Sequence, residues 1–139
     1  MALGFRYTLE PEENGWWLVR FAEIPEALTE GETQEEAHAN AADCLLAALE
    51  GYVKAGRPIP RPSTSGNGNR VTLPSLATAK LAVYETMRSR GWSMMRLGEE
   101  LGMPKEAVRR LLSLRQASPM AIIDKALAAM GAELAIELP

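Results

Sequence analysis

A run of alternating prolines followed by a polar, glycine-containing stretch divides this chain of 139 residues into two parts. Pro58, Pro60 and Pro62 cannot continue a helix, because proline lacks the backbone N–H and its ring clashes with the preceding turn. Residues 63–69 read Ser-Thr-Ser-Gly-Asn-Gly-Asn, a composition typical of a flexible tether. The sequence therefore predicts a first domain over residues 1–62, a linker over residues 63–74 and a second domain over residues 75–139.

Alternating apolar and polar residues predict strands in the first part. The alternation runs over residues 5–9 and again over residues 17–21, which is the period of a half-buried strand. Asn14-Gly15 lies between these segments and favours the positive φ angles of a tight hairpin turn. A shorter third strand is expected over residues 28–30. Residues 71–73, within the linker, are expected to add a short strand to one of the two domains.

One helix is predicted after these strands. Thr33 and Glu36 form a capping box, in which the Thr33 hydroxyl accepts from the amide three residues on and the Glu36 side chain can reach back. The helix should end at Gly56, and its alanine-rich face should pack on the hairpin. A single helix covers one face of a small sheet, so Trp16 and Leu18 are expected on the other. A partner protein, a second protomer or the linker strand could cover them, and Trp16 could instead pack within its own domain.

The charge differs between the two parts. Residues 1–62 carry five basic and eleven acidic side chains, a net charge of −6, whereas residues 63–139 carry ten and seven, a net charge of +3. Between Thr86 and Gln116, seven basic side chains stand against three acidic ones. Such a segment can present a basic face to phosphate even though the whole chain carries −3. A solvated, arginine-rich helix surface is the alternative that charge alone leaves open.

Four helices are predicted in the second part. Serine is expected to cap the first two, and proline to open the last two, since proline suits the first helical position. The predicted spans are Ser75 to about Arg90, Ser93 to Gly102, Pro104 to Ser113, and Ser118-Pro119 to Gly131.

Two of these helices have the spacing of a helix-turn-helix. Gly102 can adopt the left-handed conformation of a tight interhelical turn. Gly98, four residues earlier, lets the second helix cross closely, and Val108, six residues later, fills the angle between the helices. This spacing is typical of a DNA-binding motif. A helical hairpin that only packs is the alternative interpretation.

In such a motif the second helix enters the major groove of DNA. Arginine can read guanine through two hydrogen bonds, glutamate can accept from cytosine, and lysine can anchor phosphate. The predicted DNA contacts lie at the start of the first helix, on the outward face of the second and just after it: Ser93, Met94, Lys105, Glu106, Arg109, Arg110 and Arg115.

A terminal strand is predicted from the alternation of Leu134, Ile136 and Leu138 with their neighbours. Its apolar edge would need another strand, so we expect it to pair across a two-fold axis. A homodimer or higher oligomer also suits the motif, since two modules roughly 34 Å apart read successive turns of the groove.

Five segments form an ordered set along the chain: Glu13-Asn14-Gly15-Trp16, Ile24 to Ala37, Asn40-Ala41-Ala42, Leu49-Glu50-Gly51-Tyr52 and Gly56 to Pro62. This set resembles the HicB family of antitoxins. The resemblance covers nearly the whole chain, and the second half resembles the helix-turn-helix branch of the family rather than its ribbon-helix-helix branch.

The resemblance implies an α+β protein that blocks a toxin and represses its own operon. The first domain would be a small sheet with one packed helix, of partial RNase H-like or ferredoxin-like type, followed by an all-helical helix-turn-helix domain with a C-terminal strand. The implied partners are operator DNA and a small basic HicA-like toxin that cleaves mRNA. The acidic first part fits a basic partner, and Trp16 and Leu18 are the residues predicted to bind it.

Catalysis is not expected, and neither is a cofactor or a metal site. Cys44 and His38 are the single cysteine and histidine, which excludes an internal disulfide and a multi-cysteine zinc site. A serine–histidine–acid triad would depend on His38 alone. No apolar run reaches the roughly 20 residues of a membrane span, so a cytoplasmic protein is expected. Two alternatives stay open: a free-standing regulator whose first domain senses a ligand or dimerises, and a metal-dependent nuclease using the carboxylates between Glu30 and Glu36.

Overall fold

The computed structural model describes residues 4–62 and 68–136, which form an α+β fold of two units. One unit runs up to Leu73 and the other begins at Pro74. The first unit contains β1 (Gly4–Pro11), β2 (Trp17–Phe21), β3 (Leu28–Gly31), α1 (Gln34–Ala55) and β4 (Asn69–Thr72). The second unit contains α2 (Ser75–Arg90), α3 (Met94–Leu101), α4 (Lys105–Leu112) and α5 (Met120–Ala129).

The strands form one antiparallel sheet in the order β3-β2-β1-β4. The predicted hairpin is confirmed: Leu9 pairs with Val19, and the turn closes through a 2.8 Å hydrogen bond from the Glu12 amide to the Trp16 carbonyl. Gly15 adopts the positive φ angle, 88°, that this turn requires. The strand predicted in the linker is present as β4, and it pairs with β1 of the first unit.

Helix α1 packs on one face of this sheet. It begins as predicted, with the Thr33 hydroxyl accepting from the Glu36 amide at 3.1 Å, and ends at Gly56 in the left-handed conformation. Its buried residues recur every three or four positions and contact the sheet face that holds Phe5, Val19 and Phe21. These residues are Ala37, Ala41, Leu45, Leu49 and Tyr52.

The start of α1 lies unusually close to β3. A Cβ atom added to Gly31 would stand 2.5 Å from the backbone nitrogen of Ala37. No real side chain tolerates that distance from a backbone atom, so glycine at this position allows the helix to settle against the sheet.

The second unit is all-helical, and α2 and α3 each pack against both α4 and α5. The pairs in contact are α2–α4, α2–α5, α3–α4 and α3–α5. The buried side chains at the centre of the unit are Leu81, Leu97, Val108, Leu111, Ile123 and Leu127. As predicted, Ser93 caps α3 by accepting from the Arg96 amide at 3.0 Å, and Gly102 ends it with a φ of 64°.

Several helix boundaries differ from the prediction by one or two residues. Ser75 does not cap α2: Pro74 takes the N-cap position, and Pro104 and Pro119 do the same for α4 and α5. The carbonyl of each proline accepts the first bond of its helix, for example from the Val108 amide to Pro104 at 3.2 Å. Extended backbone at these prolines suits a cap better than a first helical turn.

The predicted terminal strand is not formed over residues 132–136, the part of it that the structure describes. A strand exists through hydrogen bonds to a neighbouring strand, and the described residues of the helical unit include no other strand. Leu134 is half-buried, Ile136 is 76% exposed, and Leu138 lies outside the described residues.

Candidate functional site

The α3–α4 pair closes tightly around Gly98. A Cβ atom at this position would stand 2.9 Å from the Met103 carbonyl oxygen and 3.2 Å from Cγ2 of Val108. The Met103 amide donates to the Gly98 carbonyl at 2.8 Å, which fixes the turn between the helices. Val108, Leu97 and Leu111 are buried beneath this contact. The pair therefore has the geometry that the spacing of glycines and valine predicted.

The outward face of α4 is charged and exposed. Lys105, Glu106, Arg109 and Arg110 are all exposed, and Arg109 Nη1 lies 2.9 Å from Glu106 Oε1. These two side chains are 57% and 75% exposed, so their ion pair contributes less than about 1 kcal/mol and can exchange for another partner. The charged side chains of this face are therefore hydrated and available to a binding partner.

The other predicted contact residues lie at the start of α3 and beyond the C-cap of α4. Met94 and Lys105 line one shallow groove with Met95, Glu99 and Met103, so the structure brings these two together. Ser93 is exposed, and its hydroxyl is occupied as the cap of α3. Arg115 is exposed and lies beyond the C-cap of α4 at Ser113, at the opposite end from Lys105.

Arg96 is a basic residue of this unit that was not among the predicted contacts. The Arg96 guanidinium stacks 4.1 Å from the centre of the Trp92 ring, on the exposed first turn of α3. Such a cation–π contact orients the guanidinium without hiding its N–H donors. The signal in the sequence is the spacing of Trp92 and Arg96, four residues apart where α3 begins.

Lys80 is the second residue that sequence reasoning missed. It lies on α2 and is fully buried, with a relative exposure of 0%. Its Nζ donates to the carbonyls of Arg110, Ser113 and Gln116, at 3.0, 2.7 and 2.6 Å. A lysine among the apolar positions of α2, three residues after Ala77 and four before Tyr84, is the signal that could have revealed it.

On the first unit, the sheet face opposite α1 carries Leu18 between two carboxylates. Leu18 alternates with the buried Val19 and pairs directly with Glu10 on β1 and Glu30 on β3. Leu18 is half-buried, as is Trp16 at the hairpin turn. Desolvation, together with a hydrogen bond to Glu30 and repulsion from it, raises the pKa of the Glu12 carboxyl.

The outer edge of β3 lies against α1. The Asn40 side-chain amide donates to the Glu30 carbonyl at 3.0 Å. The Leu28 backbone makes a hydrogen bond with the Cys44 thiol, whose pKa is nevertheless raised, chiefly by burial and then by Asp43. Cys44 is therefore a packing residue in the groove between α1 and β3.

Two polar contacts account for other titratable residues of this unit. The Tyr7 hydroxyl forms a hydrogen bond with His38 Nδ1, and burial raises the pKa of Tyr7. The Tyr52 hydroxyl donates to Glu26 Oε1 at 3.1 Å, and that bond, followed by burial, raises the pKa of Tyr52. The Arg57 guanidinium lies 4.0 Å from the centre of the Tyr52 ring.

Among the described residues, no group of three or more histidine, cysteine, aspartate or glutamate side chains is placed to hold a metal ion. The same residues contain no helix with the length and hydropathy of a membrane span.

Comparison with known proteins places these features in one family. The family model described as HicB_like antitoxin of bacterial toxin-antitoxin system matches residues 5–82. The chain is 38% identical to Antitoxin HicB 2 of Photorhabdus laumondii over 136 residues, which cover 96% of each chain. It is 32% identical to Antitoxin HicB of Escherichia coli K12 over 130 residues, 93% of this chain and 94% of the relative. It is also 32% identical to Antitoxin HicB of Pseudomonas fluorescens over 137 residues, 96% of this chain and 94% of the relative. The chain belongs to the HicB-like family of antitoxins from bacterial toxin–antitoxin systems.

Proposed function

We propose that this antitoxin has two binding activities and no catalysis of its own. The unit up to Leu73 binds a small basic HicA-like toxin and occludes its mRNA-cleaving site, and the unit from Pro74 binds operator DNA and represses the operon. The observation that carries the proposal is that one chain holds both an acidic sheet unit and a closely packed α3–α4 pair with a charged outer face. Strand β4 belongs to the unit proposed to bind the toxin, because it pairs with β1.

The surface proposed for the toxin is the sheet face around Leu18. An apolar side chain at the centre of an interface, once excluded from water, contributes most of the affinity, and charged residues around it steer the approach of the partner. Glu10 and Glu30 flank Leu18 here, and Glu12 lies beside Glu30. A basic toxin that covers Leu18 would bring cations to these carboxylates, which relieves the repulsion between Glu12 and Glu30. Trp16, half-buried at the hairpin, extends the surface.

The surface proposed for DNA is the outer face of α3 and α4. With α4 in the major groove, Arg109 and Arg110 can each reach guanine, and Glu106 can accept from cytosine. Lys105 at the start of α4 and Arg115 beyond its end lie where a groove-bound helix approaches phosphates, and the first turn of α3, with Ser93 and Met94, approaches the backbone. Base contacts would then replace the exposed Arg109–Glu106 ion pair.

A second copy of the chain would supply a second α4 helix for DNA and a strand that pairs with the terminal segment. We propose that Leu134 and Ile136, together with Leu138, form a strand with the same residues of a second protomer. The exposure of Ile136 in the single chain supports this pairing, since a large apolar side chain gains most from being covered. Two such units would present two α4 helices to successive turns of DNA.

The experiment that tests the proposal begins with the native locus. The chain is expressed with its neighbouring reading frames, purified through a tag at high salt, and whatever co-purifies is identified by intact mass. A stoichiometric small basic protein that stops growth when expressed alone is expected. The same complex should shift a DNA fragment from upstream of the operon and not a scrambled fragment of equal length.

Two results contradict the proposal separately. If the chain purifies alone and no neighbouring frame is toxic, toxin binding is wrong, and a free-standing regulator with a sensing or dimerising first unit is the better explanation. If the toxin co-purifies but the upstream fragment does not shift at any salt concentration that keeps the complex intact, operon repression by this chain is wrong.

A further inference from the structure

A buried lysine joins three elements of the helical unit. Lys80 on α2 sends its ammonium group to the Arg110 carbonyl in the last turn of α4, to the Ser113 carbonyl at its C-cap and to the Gln116 carbonyl in the turn beyond. An ammonium group has three N–H donors, and these three acceptors match them. One side chain thus holds both the end of α4 and the turn that follows it.

The surroundings explain why a charge is tolerated at this buried position. Moving an ammonium group out of water is costly unless polar groups replace its hydration. The last carbonyls of a helix lack partners within the helix and carry the negative end of its dipole, so they are suited to receive a cation. Lys80 supplies that cation from a neighbouring helix, and the Arg110 carbonyl accepts from it as well as from the Ser113 amide.

We infer that Lys80 is a positioning residue for DNA recognition, a role that rests on the proposed binding of operator DNA by α4. The middle of α4 is held where Gly98 meets Val108, and Lys80 holds its C-terminal end. Arg109 and Arg110 lie in the last turn, close to the point that Lys80 holds, and Arg115 lies in the turn that it also contacts. Lys80 itself is buried and does not touch DNA.

The length of α4 makes the second point of attachment matter. The four residue steps from Val108 to Leu112 span about 6 Å, so a tilt of about 10° around the Gly98–Val108 contact would move the end of α4 by about 1 Å. A hydrogen bond to a base edge tolerates a few tenths of an ångström around 2.9 Å. Base reading by the last turn therefore needs the end of α4 to be fixed, whereas phosphate attraction does not.

The first test compares Lys80→Met with Lys125→Met, a matched change of an exposed lysine on α5 of the same unit. Both variants are measured in the full chain at 10 °C, against the upstream operon fragment and against a scrambled fragment. We expect Lys80→Met to bind the upstream fragment at least about tenfold more weakly while its affinity for the scrambled fragment changes less than about twofold. Lys125→Met should match the wild type on both fragments.

A purely structural lysine would give a different result. It would lower the melting temperature of Lys80→Met but leave the ratio of the two affinities unchanged at 10 °C, where the variant is folded, and that outcome overturns the inference. If the wild type does not distinguish the two fragments, the proposed DNA binding is wrong and the positioning role falls with it.

A second measurement covers the case in which Lys80→Met does not fold. It uses the wild-type chain labelled with ¹⁵N-lysine, and it follows the exchange of ammonium protons with water by NMR. We expect the Lys80 protons to exchange slowly, unlike those of the exposed Lys54 and Lys125, and to exchange more slowly still when the upstream fragment is bound. Lys80 protons whose exchange is unchanged by that fragment would show that the end of α4 is not coupled to DNA, and the inference would be wrong.

Discussion

Gly98 and Val108 meet so closely across the turn between α3 and α4 that a methyl group on the glycine would lie 3.2 Å from Cγ2 of the valine. The same methyl group would lie 2.9 Å from the Met103 carbonyl oxygen, which belongs to the backbone and cannot rotate away. The crossing of the two helices therefore depends on the absence of a side chain at position 98.

Gly98→Ala is expected to destabilise the helical unit by about 1–3 kcal/mol, because the helices must separate to admit the methyl group. Chemical denaturation followed by circular dichroism measures the change. Gly51→Ala is the matched control: it lies inside α1, a Cβ there meets nothing within 4 Å, and alanine should stabilise the helix by about 0.5–1 kcal/mol. Equal effects of the two changes would show that the α3–α4 contact is not tight.

Leu18→Arg is expected to weaken toxin binding at least about 100-fold, because it puts a cation at the centre of a surface proposed to receive a basic partner. Titration calorimetry with the purified toxin measures the affinity, and growth rescue on co-expression gives a second readout. Ala42→Arg, on the exposed side of α1, is the control for added charge. Should Leu18→Arg capture the toxin as well as Ala42→Arg does, the toxin binds elsewhere.

Arg109→Ala is expected to cost about 1–3 kcal/mol in operator binding and to relax the preference at one base pair. Lys105→Ala should weaken binding to all sequences alike and reduce the slope of log affinity against log salt by about one. Fluorescence anisotropy over a salt series separates the two effects, and Lys54→Ala on α1 is the control. Toxin capture should stay intact in all three variants; its loss together with DNA binding would contradict the division between the two units.

Alkaline pH should destabilise the sheet unit partly through Tyr52. The folded state holds its pKa above the ordinary value of 10.0, chiefly through the hydrogen bond to Glu26. A raised folded pKa means that the contribution is complete below pH 10 and is lost as pH rises through the folded value. Tyr52→Phe should therefore be less stable than the wild type at pH 8, by about 0.5–1.5 kcal/mol, and the difference should shrink above pH 10. Urea denaturation at the two pH values measures it, and a difference that grows with pH would contradict the assignment.

Removal of the residues after Gly131 is expected to reduce self-association of the chain. Sedimentation velocity over a concentration series measures the oligomeric state, and Ile136→Asp should act in the same direction as the truncation. Glu133→Ala is the control within the same segment. An oligomer and an operator affinity that both survive the truncation would exclude strand pairing as the basis of the dimer.

Local signals predicted the parts of the fold that depend on neighbouring residues. Asn14-Gly15 and the capping box at Thr33 act within a few positions, so the hairpin and the start of α1 are where the sequence placed them. The spacing of Gly98, Gly102 and Val108 is local in the same sense. Helix boundaries at prolines were wrong by one residue, because a cap and a first helical turn both accommodate proline.

The role of Lys80 could not be predicted in this way. Its acceptors lie 30 to 36 residues further along the chain, so no short window of sequence contains them. The absence of a strand over residues 132–136 in the single chain has a related reason: alternation identifies a segment able to pair, but a strand also needs a neighbour. The surface around Leu18 depends on register, which joins residues on three strands.

The covering of β3 by α1 also determines which edge of the sheet can accept a further strand. A strand added beside β3 would have to displace Asn40 from the Glu30 carbonyl and Cys44 from the Leu28 backbone, and it would meet a 22-residue helix as well. At the opposite edge the last strand is β4, four residues long and polar at three of them. Any extension of this sheet between molecules, whether in a functional complex or in an aggregate, is thus directed to the β4 edge, and the short polar strand there makes accidental extension unfavourable.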